Sequence, residues 1–200
     1  MMIRRFLRRL IHATEGVTLI EFAFVAPVLM LVLMATFDIG HYVYARSVLQ
    51  GALQDAGRDA TLESGLENEA AIDDYVRSQV LAVTPNAEFT FLRKNYQDFN
   101  DVGAPEDFID ANGNDLYDSD ECFTDANGNG VWDSDKSVDG MGGADDVVVY
   151  KVDVTYDSLF PFWKMIGGSQ TNTISGTTTL RNQPFADQAD RPEENICPTP

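Results

Sequence analysis

Between Val17 and Phe37 the chain runs for 21 residues in which only Thr18, Glu21, Pro27 and Thr36 are not apolar. A helix rises 1.5 Å per residue, so this run covers about 30 Å, the thickness of a bilayer's hydrocarbon core. One transmembrane helix is therefore expected over 17–37, and the rest of the chain must lie on one side of the membrane or the other. Residues 1–14 carry Arg4, Arg5, Arg8 and Arg9 and no acid. By the positive-inside rule, residues 1–16 stay in the cytoplasm and everything after about residue 38 is exported. A cleavable secretory signal fits less well: its apolar region is shorter and ends at a small-residue site, for which only Val25-Ala26-Pro27 offers a candidate.

Two residues are out of place in an ordinary anchor. Glu21 sits five residues into the run, where an ionised carboxylate costs about 2.5–3.5 kcal/mol at mid-bilayer and less near the interface, to which it can snorkel. Gly16 stands immediately before the run, in the string Gly16-Val17-Thr18-Leu19-Ile20-Glu21-Phe22. A glycine, four mostly apolar residues, a glutamate and an aromatic, after a basic leader and before an apolar helix, resemble the processing site of type IV prepilins and pseudopilins. The resemblance implies that a membrane-embedded aspartyl prepilin peptidase cuts between Gly16 and Val17, leaving Glu21 as the fifth mature residue. The chemistry is coherent, because a new α-amino group and a carboxylate on neighbouring subunits offset each other's cost in lipid.

Glu21-Phe22-Ala23-Phe24-Val25-Ala26-Pro27-Val28-Leu29, followed by Asp38-Ile39-Gly40, Tyr44-Ala45-Arg46, Leu49-Gln50-Gly51-Ala52 and Ala56-Gly57-Arg58, is similar to the TadE-like domain of tight-adherence (Tad, or Flp) pilus systems. The likeness covers residues 16 to about 60. It implies a non-catalytic minor pseudopilin of the inner membrane, with a cytoplasmic amino terminus and a periplasmic carboxyl-terminal domain. The implied partners are the prepilin peptidase, the major Flp pilin, other TadE-like or TadF-like pseudopilins, and the inner-membrane platform of the Tad system. A pseudopilin of the type II secretion kind shares Thr-Leu-Ile-Glu and is one alternative. A signal-anchored periplasmic calcium-binding adhesion protein is another.

Past the span, Ile39, Tyr42, Val43, Val48, Leu49, Ala52, Leu53, Ala56 and Ala60 recur at three and four, so the helix is expected to continue to about residue 62 with this stripe packed on its own domain. Ala70, Tyr75, Val76, Val80 and Val83 predict a second helix ending before Thr84-Pro85. Glu88–Arg93, Val147–Tyr156 and Thr173–Leu180 are β-branched or aromatic and partly alternating, as strands are. Leu159-Phe160-Pro161-Phe162-Trp163 is too short for a second span and reads as a turn over the sheet's end that can also touch a headgroup surface or a partner. The expected fold is α+β: a transmembrane helix over 17–37 extended into a pilin-like helix packed on a small antiparallel sheet, with periplasmic helices and the first strand in 38–97, an acidic calcium-loop insert at 98–146, the other sheet strands in 147–182 and an extended tail over 183–200.

The insert carries 15 acids and one base, Lys136. Within it Asp110-Ala-Asn-Gly-Asn-Asp-Leu-Tyr-Asp-Ser-Asp-Glu121 recurs 15 residues later as Asp125-Ala-Asn-Gly-Asn-Gly-Val-Trp-Asp-Ser-Asp-Lys136. Oxygen side chains at loop positions 1, 3, 5 and 9, with a backbone carbonyl at 7, are how a calcium loop gathers hard ligands. The first set is Asp110, Asn112, Asn114, Leu116 through its carbonyl, Asp118 and Glu121. The second is Asp125, Asn127, Asn129, Val131 through its carbonyl, and Asp133. Two departures stand out. Asp115 replaces the glycine that Gly130 supplies at position 6, and Lys136 replaces the carboxylate at position 12, leaving Asp135 or Asp139 to substitute. The spacing leaves no room for the helices of an EF-hand, so the match is similar to the bare loops of dockerin or thrombospondin type 3 repeats. Calcium in a structural role is the expected cofactor.

The two cysteines, Cys122 between the loops and Cys197 in the tail, form a candidate disulfide in an oxidising periplasm. Both histidines, His12 and His41, lie in the leader or just past the membrane, which removes Ser-His-Asp and Cys-His chemistry from the exported domain. A formal net charge of −18 speaks against nucleic acid as a partner.

Overall fold

The structure is a computed structural model that describes residues 15–60, 68–165, 167–184, 187–188, 191 and 193–198. Among these residues, three α-helices, one 3-10 turn and six strands follow in the order α1 (Glu15–Ala60), α2 (Glu69–Leu81), β1 (Glu88–Tyr96), the 3-10 turn (Phe99–Asp101), β2 (Phe123–Asp125), β3 (Val138–Asp139), β4 (Val147–Asp157), α3 (Phe162–Met165), β5 (Thr171–Arg181) and β6 (Glu194–Ile196). The chain is thus α+β, a long apolar amino-terminal helix followed by an antiparallel sheet. It divides into two compact units, one holding the residues up to Tyr44 with Asp157–Asn172, the other Ala45–Tyr156 with Thr173–Pro200.

In the first unit α1 is long and apolar enough to cross a membrane, and none of its most apolar stretch is buried against protein. Pro27 lies inside the helix without ending it. The hydroxyl of Thr36 donates to the carbonyl of Val32 at 2.8 Å, so this polar group brings its own partner. Strands β4 and β5 are joined here by the short turn of α3.

The second unit is built on a sheet of order β3-β1-β4-β5. β1 and β4 pair antiparallel from Glu88↔Thr155 to Tyr96↔Val147, and Lys94 and Asn95 of β1 face Asp139 and Val138 of β3. β4 is an inner strand, and Val148, Tyr150, Val152, Val154 and Tyr156 are buried at every second position, as a period of two requires. The Ala45–Ala60 part of α1 turns Ala45, Leu49, Ala52, Leu53, Ala56 and Ala60 inward. The expected stripe thus begins at Ala45: Ile39 and Val43 are more than half exposed. Gly176 of β5 faces that stripe, where a methyl group would strike Leu53 and come within 3.3 Å of Leu49.

α2 buries Ile72, Val76 and Val80. On the same side Arg77 lies over the rings of Phe89 and Phe91 at 5.1 and 5.4 Å. Arg93 stacks 4.6 Å from the ring centre of Tyr150 and pairs with Asp73, which also accepts the Tyr150 hydroxyl at 2.6 Å. Burial above all, then the carboxylate of Asp73, pushes the Tyr150 phenol far above its ordinary range.

The tail does more than extend. β6 pairs antiparallel with β2 through Phe123↔Ile196 and Asp125↔Glu194, and Cys122 is bonded to Cys197 across 75 residues. Asp146, 1% exposed, accepts from Gln188 and Arg191 of the tail, and Arg191 also donates to Asn95 of β1.

Candidate functional site

Of the residues expected to mark a processing site, Gly16 and Val17 lie in the first turn of α1, and Glu21 and Phe22 follow on the same unbroken helix with their side chains exposed. Of the expected basic leader, residues 1–16, the first fourteen lie outside the described residues.

The two acidic loops fold alike, residue for residue. Asp110 accepts from the N–H groups of Gly113 (2.6 Å), Asn114 (3.2 Å) and Asp115 (2.8 Å), and Asp125 accepts from Gly128 (2.7 Å), Asn129 (3.2 Å) and Gly130 (2.7 Å). The amide oxygens of Asn112 and Asn114 each accept the N–H two residues on, as do those of Asn127 and Asn129. Asp118 receives the side-chain amides of Asn112 and Asn114, and Asp133 those of Asn127 and Asn129. These Asx turns wind the backbone around the acids because Asp and Asn side chains imitate a peptide carbonyl. The N–H of Asp115 above all, with those of Gly113 and Asn114, holds the carboxyl of Asp110 below its ordinary range. Asp115 adopts φ +60°, close to the +79° of Gly130, so the acid enters the left-handed conformation that the glycine reaches without strain.

Position 12 is where the structure departs from the expectation. In the first loop Glu121 accepts the N–H of Ala111 at 2.8 Å and of Asp118 at 3.2 Å. In the second loop the same two bonds, from Ala126 at 2.8 Å and Asp133 at 3.0 Å, go to Glu106. Asp135 instead pairs with Lys94 at 2.6 Å, and Asp139 belongs to β3. Burial works to raise the carboxyl of Asp135, but hydrogen bonds from Lys94 and Tyr96 outweigh it and hold it down. Lys136, at the twelfth position itself, donates to Asp107 at 3.0 Å.

A faint signal for this was in the sequence. Glu106 stands four residues before Asp110 and Glu121 four before Asp125, so the repeat begins four residues earlier than its aspartates suggest. Each glutamate serves the other copy's loop. Between the copies Phe108 and Phe123 face each other across an antiparallel bridge, Ile109 donating to Cys122 and Thr124 to Asp107 at 2.8 Å each. Tyr117 and Trp132, both at loop position 8, stack at 4.6 Å and pack edge-on against Phe108. The Trp132 indole donates to the Glu106 carbonyl at 3.0 Å. This aromatic cluster is the small core of the insert.

The donor set at each loop is all oxygen, which suits a hard cation. Glu106, Glu121 and Asp125 are buried to 1%, 3% and 4% exposure and form no ion pair among the described residues. Also among the described residues, no three His, Cys, Asp or Glu side chains converge closely enough to hold a metal without the asparagines and carbonyls.

Neither a curated protein nor a solved structure matches the chain. Over residues 16–58, which run through the glycine, the glutamate, the apolar stretch and the first buried turns of α1, the chain matches the TadE-like protein family.

Proposed function

We propose that this chain is a minor pseudopilin of a Tad pilus assembly system, made as a precursor, cut after Gly16 by the prepilin peptidase, and non-catalytic. The observation that carries the reading is the family match at 16–58, which begins at Gly16 and includes Glu21 at the fifth position after it. Cleavage frees the amine of Val17, and Glu21 docks the helix against that of a neighbouring subunit, each charge lowering the other's cost in lipid. The helix is held in the inner membrane with the carboxyl-terminal domain in the periplasm. There it meets the major Flp pilin, TadE-like or TadF-like companions and the inner-membrane platform. Amino-terminal sequencing of the membrane-purified protein tests this. A mature chain starting at Val17 is expected, and an intact leader in cells with an active prepilin peptidase refutes it.

The exported domain is held in shape by calcium in this reading. Asp110, Asn112, Asn114, Asp118, Glu121 and the Leu116 carbonyl would hold one ion. Asp125, Asn127, Asn129, Asp133, the Val131 carbonyl and Glu106 would hold the other. The ion supplies positive charge to an insert of 15 acids and one base, which otherwise repels itself. Calorimetric titration should give saturable heat in the ~0.1–1 mM range that is common for exported sites, abolished when Asp110 and Asp125 are both changed to Ala. Absence of heat at millimolar calcium removes the cofactor from the proposal and leaves the pseudopilin reading standing.

A further inference from the structure

The apolar run ends at Phe37, and the next residue, Asp38, is only 4% exposed. A carboxylate at the end of a membrane helix ordinarily reaches for water. Here the turn between β4 and β5 covers it: the N–H of Phe160 donates to one Asp38 oxygen at 3.3 Å, and the other has no partner among the described residues. On either side of Asp38 the helix exposes apolar side chains, Phe37 at 63% and Ile39 at 57%. The turn adds Leu159 at 55% and Met165 at 69%.

We propose that the turn Leu159–Met165 is a second membrane contact, seated in the headgroup region of the leaflet from which α1 emerges. The proposal rests on the reading of α1 as a membrane anchor. Its level is set by the tether: Asp38 lies one residue beyond a run that already covers the ~30 Å hydrocarbon core, and the headgroup layers carry the bilayer to ~40–45 Å. Lipid is therefore the neighbour that Phe160 and its turn meet. The composition suits that layer, where aromatic rings lie along the boundary and a lysine such as Lys164 sends its ammonium to phosphate while its stem stays apolar.

The turn is also built in advance. Met165 donates to the Pro161 carbonyl at 3.2 Å, Gly167 to Lys164 at 3.3 Å and Gly168 to Trp163 at 2.7 Å, with Gly167 at φ +84°. The last two bonds and the left-handed glycine make a Schellman cap, which fixes the backbone so that Leu159 and Met165 are presented without an ordering cost. The covered Asp38 and the bare apolar side chains are then one arrangement: the turn removes the lone carboxylate from the lipid boundary and extends the apolar surface past it.

Trp163 and Trp132 are the two tryptophans of the chain, and Trp132 lies in the acidic insert, so the part of the emission that W163F removes reports the turn. The full chain is placed at one copy per nanodisc, in lipid brominated at shallow or deep acyl positions. Wild-type emission should be quenched, more by shallow than by deep bromines, and W163F should lose that quenching. A nitroxide at M165C should relax more with oxygen than with a water-soluble nickel chelate, a readout that does not depend on the W163F fold. Wild-type emission that is the same in brominated as in ordinary lipid, or a label relaxed chiefly by nickel, overturns the proposal, whether the turn then faces water or another protein. The variant W163F/L29W reports the anchor alone. Deep quenching there without quenching at Trp163 sinks the turn and spares the anchor, whereas no quenching in either sinks both.

Discussion

Glu106 and Glu121 each close the loop of the other's repeat, through matching pairs of backbone hydrogen bonds at 2.8 and 3.0 Å and at 2.8 and 3.2 Å. The exchange makes the two loops one folding unit, since neither loop is complete until both copies are in place. It also explains how the second loop does without a carboxylate at its twelfth position, where Lys136 stands.

Changing Glu106 to Ala leaves two N–H groups without acceptors beside a side chain that is 1% exposed, and is expected to cost about 2–5 kcal/mol. Glu106→Gln keeps one acceptor and should cost less in calcium-free buffer. With calcium present the gap between wild type and E106Q should widen, because the variant loses a charged ligand of the second loop. Thermal unfolding followed by circular dichroism, with and without chelator, checks this. A gap that stays the same would show that Glu106 serves the backbone alone.

Two glycines on one helix–strand contact are expected to behave oppositely. G176A drives a methyl group into Leu53 and Leu49 and should destabilise by about 1–3 kcal/mol. G57A meets Thr178 and Leu180 at an ordinary 3.5 Å and should be neutral or stabilising by up to about 1 kcal/mol, because alanine favours the helix. Denaturant midpoints of the two variants decide the point, and equal losses would place α1 wrongly on β5.

The bond between Cys122 and Cys197 closes a loop with a sequence separation of 75 residues, for which chain entropy gives about 4 kcal/mol. Reductant should lower the midpoint of wild type to that of C122S/C197S and leave the double variant unmoved. The amides of Glu194 and Ile196, opposite Asp125 and Phe123 in the β2–β6 pair, should then exchange faster with deuterium, since Thr124 turns its own N–H to Asp107 and leaves these two pairs to face each other. Slow exchange after reduction would mean that Arg191 and Gln188 hold the tail unaided.

The pH dependence has a sign at each end. Tyr150 has its folded phenol raised, by burial first and Asp73 second, so its contribution is full below the unfolded value of about 10 and is lost as pH rises beyond it. Tyrosinate absorbance should show one residue that ionises only on alkaline unfolding, and Y150F should abolish it. Asp110 has its folded carboxyl lowered by backbone N–H groups, so its contribution is present above about pH 4 and fades as pH falls through the depressed value. An NMR carboxyl titration of Asp110 with a midpoint at or above that of free aspartate would contradict this.

What the sequence determined by itself was what short-range physics controls. Twenty-one residues of hydropathy fix an apolar helix long enough to cross a bilayer, a period of two marks β1, β4 and β5, and an Asp/Asn pattern repeated at 15 residues marks two loops that wind in the same way. Each of these depends on neighbours a few positions apart, so a string of letters contains it. The tertiary structure alone decided the rest. It brought Glu106 rather than Asp135 or Asp139 to the second loop, turned the tail into a strand on β2, began the buried stripe at Ala45, and set Phe160 against Asp38. The reason is common to all four. A buried carboxylate or N–H must find a partner, but which one it finds depends on where the chain returns, and that path is set by the packing of the whole domain rather than by any local pattern.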